Sequence, residues 1–223
     1  MSNIIKPSVE FIKGNNEEDI IKNIEKIART CYKSEDLITE SSGKKMIKSL
    51  ISKEHFAMFD HESITYKVIC DRGVSHEIVR HRIGAYAQES TRYCNYNSGK
   101  FGSEISVIDI SSGFNYNLSK EEDIAKLTEW MNAINDAEKH YNRLIELGAK
   151  PEEARSVLPN SLKTEIVITY DISEWVHFMK LRYYGTTGKP HPQMKEIANL
   201  IRLDMIKRYP FIFGECANFT KIV

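Results

Sequence analysis

The sequence predicts an α/β fold of the α+β type: one compact domain over 1–223, with a central mixed or antiparallel sheet flanked by helices. Three observations predict it. Helical and period-two segments both occur, but the strands are too unevenly spaced for a barrel or a regular doubly wound sheet. The 223 residues suit one domain and can bury a core without disulfide or metal staples. No internal repeat, low-complexity stretch or Pro/Gly/Ser-rich linker divides them.

Pro7 to Lys13 reads as a short strand that ends at Gly14-Asn15-Asn16, a turn and cap signal. Ile20, Ile21, Ile24, Ile27, Ala28 and Cys31 then share one face at helical spacing, behind the first-turn acids Glu17, Glu18 and Asp19. Met46, Ile47, Leu50 and Ile51 mark a second helix. Ile64, Tyr66, Val68 and Cys70 alternate with more polar neighbours, as in a half-buried strand. A short helix is expected from Val74 to Arg80, an ordered loop from Gly84 to Gly99, and a brief strand within Glu104 to Ile110. The longest helix is Lys120 to Leu147, with Ile124, Leu127, Met131, Ile134 and Leu144 as its apolar stripe and Gly148 as its stop. Pro151 opens another short helix, because proline is tolerated in a first turn. Thr164 to Tyr170 is rich in β-branched residues and reads as a strand. Helices over Ser173–Arg182 and Met194–Arg208 complete the chain.

Basic and acidic residues balance at 31 each, which argues against a protein whose main work is gripping a nucleic-acid backbone. The balance still permits a local cationic pocket. No stretch approaches the ~20 apolar residues of a membrane span. The opening Met1 to Lys6 lacks the basic-then-apolar order of an export signal, so a cytoplasmic protein is expected. Cys31, Cys70, Cys94 and Cys216 show no metal-ligand spacing and are expected to be reduced thiols, with no metal site. No Gly-rich phosphate loop of either common type is present.

The chemistry concentrates in Arg80-His81-Arg82-Ile83-Gly84-Ala85-Tyr86-Ala87-Gln88-Glu89-Ser90-Thr91-Arg92-Tyr93. Arginine carries five fixed donors and a permanent charge, which suits phosphate or a delocalised anion. Ser90 adds a neutral donor and acceptor, and the Gln88 amide can read a ring edge. Two plainer readings compete. One is a solvated face with weak surface ion pairs. The other is a nucleic-acid-binding module that stacks bases on Tyr86, Tyr93 and Tyr96.

The order of these residues resembles the signature of the flavin-dependent thymidylate synthases: an Arg-His-Arg triplet, seven residues, then a serine and an Arg-Tyr pair. The resemblance extends upstream to His55-Phe56-Ala57-Met58-Phe59-Asp60-His61. Downstream it includes Glu153-Ala154-Arg155-Ser156-Val157-Leu158-Pro159, Asp171 to Phe178 with Leu181-Arg182, and His191-Pro192-Gln193 with Glu196-Ile197. It implies conversion of dUMP to dTMP, with methylenetetrahydrofolate as carbon donor and NADPH as reductant through FAD. It also implies a homotetramer whose sites are built from several subunits, and no cysteine nucleophile. A flavin-dependent pyrimidine hydroxymethylase would carry the same signature.

Laid on this sequence, the resemblance implies a flavin site formed by Ala57, Arg80, His81, Arg82, Gln88, Asp171, Ile172, Ser173 and His177. The nucleotide would lie along Glu77, Ile78, Val79 and Arg80, and would meet Gln88, Glu89, Ser90, Thr91 and Arg92 of a neighbouring subunit. Arg155 would be a further phosphate ligand, and Arg182 the catalytic arginine that stabilises the ionised pyrimidine. Five positions depart from the family pattern, and one of them is Ala85, which stands for a serine. Ala57 lacks a hydroxyl, Asp171 and Ser173 stand for Asn and Arg, and Glu77 stands for Gln. A carboxylate at 77 would repel a phosphate, so it is expected to meet a ribose hydroxyl, or else to face a nucleotide seated slightly differently.

Overall fold

The computed structural model describes residues 2–96 and 104–216. Its centre is a four-stranded antiparallel sheet in the order β2 (Ser8–Lys13), β3 (Ser63–Asp71), β6 (Lys163–Asp171), β4 (Ala85–Gln88). β3 and β6 pair over their whole length, from Ser63 opposite Asp171 to Asp71 opposite Lys163. A separate parallel pair joins β1 (Asn3–Ile5) to β5 (Ser106–Ile108). The sheet is therefore antiparallel, as one branch of the prediction required.

Helices α1 (Glu17–Thr30), α2 (Ser42–Ser52), α6 (Ile172–Met179) and α7 (Pro192–Arg208) bury their apolar residues together with Tyr66, Val68, Ile166 and Ile168 of the two central strands. Trp175 is fully buried and donates from Nε1 to the Ile64 carbonyl, which fastens α6 to β3. Tyr66 donates to Asp204 on α7 at 2.7 Å. The burial that permits this also pushes its hydroxyl pKa upward, with Asp204 adding to the shift. A second cluster, including Tyr96, Ile105, Ile134, Tyr141 and Leu162, lies under α4 (Glu121–Glu146).

Three expectations need correction. The stretch from Gly84 is not all loop: Ala85–Gln88 forms edge strand β4 on β6, and the last residues of the expected loop, 97–99, lie outside the described residues. Gly84 admits this pairing because a Cβ there would run into the Tyr170 ring. The apolar stripe of α4 is also not the one read from periodicity. Only Ile134 of that set is buried, Ile124 is 45% exposed, and Tyr141 fills the core instead. The helix ending at Arg182 proves to be α6 followed by a π-helical turn, Lys180–Tyr184, stopped by Gly185 at φ 73°.

Candidate functional site

The site is organised by two matching strand-to-helix corners. β3 ends at Asp71, whose Oδ1 accepts from the Val74 N–H at 2.6 Å and so caps α3 (Arg72–Ile78). β6 ends at Asp171, whose Oδ1 accepts from the Glu174 N–H at 2.7 Å and so caps α6. Burial raises the pKa of both carboxyls, while the cap bonds pull the other way. The Asn-to-Asp departure at 171 thus keeps a helix cap, with the carboxylate turned into the helix start. Ser173, the other departure on α6, donates to the Phe56 carbonyl at 3.2 Å. That bond ties the 3₁₀ helix Phe56–His61, which carries exposed Ala57, to α6 with its exposed His177.

Between the corners sits a closed polar chain. His81 is 3% exposed, with Nδ1 at 2.7 Å from Glu174 Oε1. Arg182 reaches in from the π-helical turn and donates from Nε to His81 Nε2 at 3.1 Å. Its Nη1 donates to Glu77 Oε2 at 2.7 Å, and its Nη2 to the Glu77 carbonyl at 3.0 Å. A guanidinium can only donate, so His81 Nε2 is the acceptor and the ring hydrogen sits on Nδ1, facing Glu174. Three of the five Arg182 N–H groups are used within the chain, and two remain. The Glu77 carboxylate is thus engaged within the chain. It is the counter-ion of Arg182, which answers the repulsion that its carboxylate would otherwise cause.

The backbone beneath this chain is pinned as well. The Tyr86 hydroxyl donates to the His81 carbonyl and accepts from Tyr170 at 2.8 Å. Ile78 and Ile172, both expected near ligand, place their side chains in the core. Val79 stays 40% exposed beside Arg80. Arg80 and Arg82 point outward, and neither has an ion-pair partner among the described residues.

The remaining expected residues lie at or beyond the far end of β4, a strand spanning about 10 Å. Gln88 is turned inward, donating to Ser75 Oγ at 3.0 Å and Thr164 Oγ1 at 3.1 Å. Glu89 accepts from Lys163 at 2.9 Å and from the Tyr96 hydroxyl at 3.1 Å. Burial pulls the Lys163 pKa down, but the hydrogen bonds it donates to Glu165 and Glu89 outweigh it and leave it raised. Ser90 Oγ accepts from the Arg92 N–H at 3.3 Å. Arg155 donates to buried Thr91 at 3.2 Å, and Arg92 meets Glu152 at 3.4 Å in an exposed pair. Arg92 and Arg155 thus share one face around 90–92.

Family membership is decided by the extent of the match. The model of the family described as thymidylate synthase complementing protein matches residues 15–211. The chain belongs to that family. Among its relatives, a flavin-dependent thymidylate synthase of Pyrococcus horikoshii is 34% identical over 60% of this chain and 51% of its own length. One of Geobacter sulfurreducens is 31% identical over 70% of this chain and 65% of its own. This member thus spans about half to two thirds of the length of those two relatives. A probable flavin-dependent thymidylate synthase of Paramecium bursaria Chlorella virus 1 is 24% identical over 94% of both chains. The solved UMP/dUMP methylase of Streptomyces cacaoi bound with 5-Br dUMP superposes with a TM-score of 0.77 at 23% identity, over 94% of each chain, which shows the shared fold.

Three findings were not legible beforehand. Glu174 reads in sequence as an ordinary first-turn acid of a helix, and only the fold brings it to His81. The Glu77–Arg182 pair spans 105 positions, with no local signal. His81, Glu174 and His177 also place ligand atoms within 4.8 Å of one another. A cation there would have to displace the ring hydrogen on Nδ1 and sit beside the Arg182 guanidinium, so the arrangement disfavours a metal.

Proposed function

We propose that this family member is a flavin-dependent thymidylate synthase that converts dUMP to dTMP, using methylenetetrahydrofolate and NADPH. The observation that carries the reading is Arg182. Its guanidinium is held by Glu77 and His81 and keeps two N–H groups for a ligand. Making uracil C5 nucleophilic places negative charge on the ring, and a fixed donor pair meets that charge without reorganising. Arg92 and Arg155, with Ser90, would take the phosphate.

The residues present fit FAD. Arg80 and Arg82 are two outward guanidinium groups without carboxylate partners among the described residues, the charge pattern a diphosphate requires. Exposed Ala57 and His177 and half-buried Ser173 lie on the elements that Ser173 ties together, with the His177 ring 5.6 Å from that of His81. Bound FAD would supply the redox chemistry, accepting reducing equivalents from NADPH. Because the two arginine sets sit at opposite ends of an edge strand, we further propose that each site is completed by a second copy, as in a homotetramer.

The base-stacking alternative loses two of its three aromatic rings. Tyr96 is 3% exposed and Tyr86 hydrogen-bonds inward, so only Tyr93 faces outward. The test is direct. Purified protein should show a flavin absorption spectrum, and incubation with dUMP, methylenetetrahydrofolate and NADPH should give a product heavier by one methyl group. A product carrying a hydroxymethyl group would select the hydroxymethylase, and an unchanged nucleotide with flavin bound would overturn both.

A further inference from the structure

We propose that Glu174 is a positioning residue for Arg182, acting through the His81 ring. Glu174 is 6% exposed, and its carboxylate lies on His81 Nδ1. A buried carboxylate is costly and is often replaceable by apolar side chains without loss of stability. The helix does not need it as a cap, since Asp171 already takes the Glu174 N–H. What the carboxylate does is fix a direction. It accepts a hydrogen from Nδ1, so Nε2 must present a lone pair, and that lone pair is what Arg182 Nε donates to.

With the ring hydrogen on Nε2 instead, two N–H groups would face each other. Arg182 would then be held by Glu77 alone, and its remaining donors would lose their aim. The ring itself cannot swing away to relieve this. Phe178 lies 5.1 Å from it centroid to centroid, Tyr170 6.0 Å and His177 5.6 Å. The protonation pattern of one buried ring therefore sets the orientation of the charge expected to face the pyrimidine.

The activity arm of the test rests on the proposed function; the spectroscopic arm does not. In the intact flavin-loaded protein, ¹⁵N NMR of labelled histidine should show His81 with its hydrogen on Nδ1. In Glu174→Ala the hydrogen should move to Nε2 or exchange between the two, while Glu174→Gln, which retains an acceptor oxygen, should keep it on Nδ1. Glu174→Ala should lower kcat for dTMP formation by about 10–100-fold, the usual range for an orienting partner of a functional imidazole, with KM for dUMP little changed. Glu174→Gln should recover most of that loss. The double variant Glu174→Ala/Arg182→Ala should be no slower than Arg182→Ala alone, because both remove one function. Should Glu174→Ala fail to fold, Glu174→Asp, shorter by one carbon, takes its place in every arm. A wild-type hydrogen on Nε2, an unmoved tautomer in the variant, or losses that multiply in the double variant would each overturn the proposal. A wild type that makes no dTMP yet shows the expected tautomers would instead overturn the functional reading alone.

Discussion

Arg182 and the Arg92–Arg155 pair lie at opposite ends of β4 and are held in opposite ways. Arg182 has a side-chain exposure of 20%, three hydrogen bonds and a counter-ion 2.7 Å away. Arg92 is 52% exposed and leans on Glu152 at 3.4 Å, while Arg155 has one hydrogen bond to Thr91. The first arrangement is finished before any ligand arrives. The second leaves most of its donors unused among the described residues. A donor that must meet charge developing on a ring benefits from being fixed, whereas donors for a phosphate need only arrive with it.

The largest effect should come from breaking the fixed end. Arg182→Lys keeps the charge but loses the planar fork, and turnover of dUMP should fall roughly 100–1,000-fold. Flavin reduction by NADPH without nucleotide should change far less; equal impairment of both would remove Arg182 from its role. At the open end, Arg155→Ala should weaken dUMP binding by about 1.5–3 kcal/mol, the worth of a charge-assisted hydrogen bond. Titration should show FAD binding nearly unaffected, and equal loss for both ligands would contradict the assignment. Glu152→Ala sharpens the contrast further. Its exposed pair with Arg92 should contribute no more than about 1 kcal/mol to stability, and freeing Arg92 should leave nucleotide affinity equal or slightly tighter. A clear loss of affinity would show that Glu152 positions Arg92.

The smallest effect is a pH dependence at the α6 corner. The Asp171 carboxyl is raised by burial, so the folded state binds its proton more tightly than the unfolded chain does. Its contribution therefore turns less favourable as pH rises through the raised pKa. Asparagine caps equally well and does not titrate. The Tm of Asp171→Asn relative to wild type should increase from about pH 4 to pH 7. A constant or shrinking difference would argue against the raised carboxyl.

Much of this was legible in the chain, for reasons tied to local pattern. β3 shows its alternation at Ile64, Tyr66, Val68 and Cys70, and α1 its stripe at Ile20, Ile21 and Ile24, because one face of each meets the same core. Asn16 caps α1 as its position suggested, accepting from the Asp19 N–H. β4 escaped notice because Ala85-Tyr86-Ala87-Gln88 lacks the β-branched residues of a strand and is held by pairing to β6 rather than by propensity. The α4 stripe misled because Ile124 stays exposed while aromatic Tyr141 packs. The motif arginines were visible as a group, but their division into a locked end and an open end was not. That division depends on Glu77, His81 and Glu174, which meet Arg182 only through long-range folding.

The most direct test of the two-ended site is a mixing experiment. Arg182→Ala and Arg92→Ala, each much slower than wild type alone, would be combined under conditions that exchange subunits, and dTMP formation followed. If each site takes its fixed end from one copy and its open end from another, a one-to-one mixture should recover up to about a quarter of wild-type activity through hybrid sites. No recovery at any ratio, with subunit exchange confirmed, would mean that both ends serve a nucleotide within one chain.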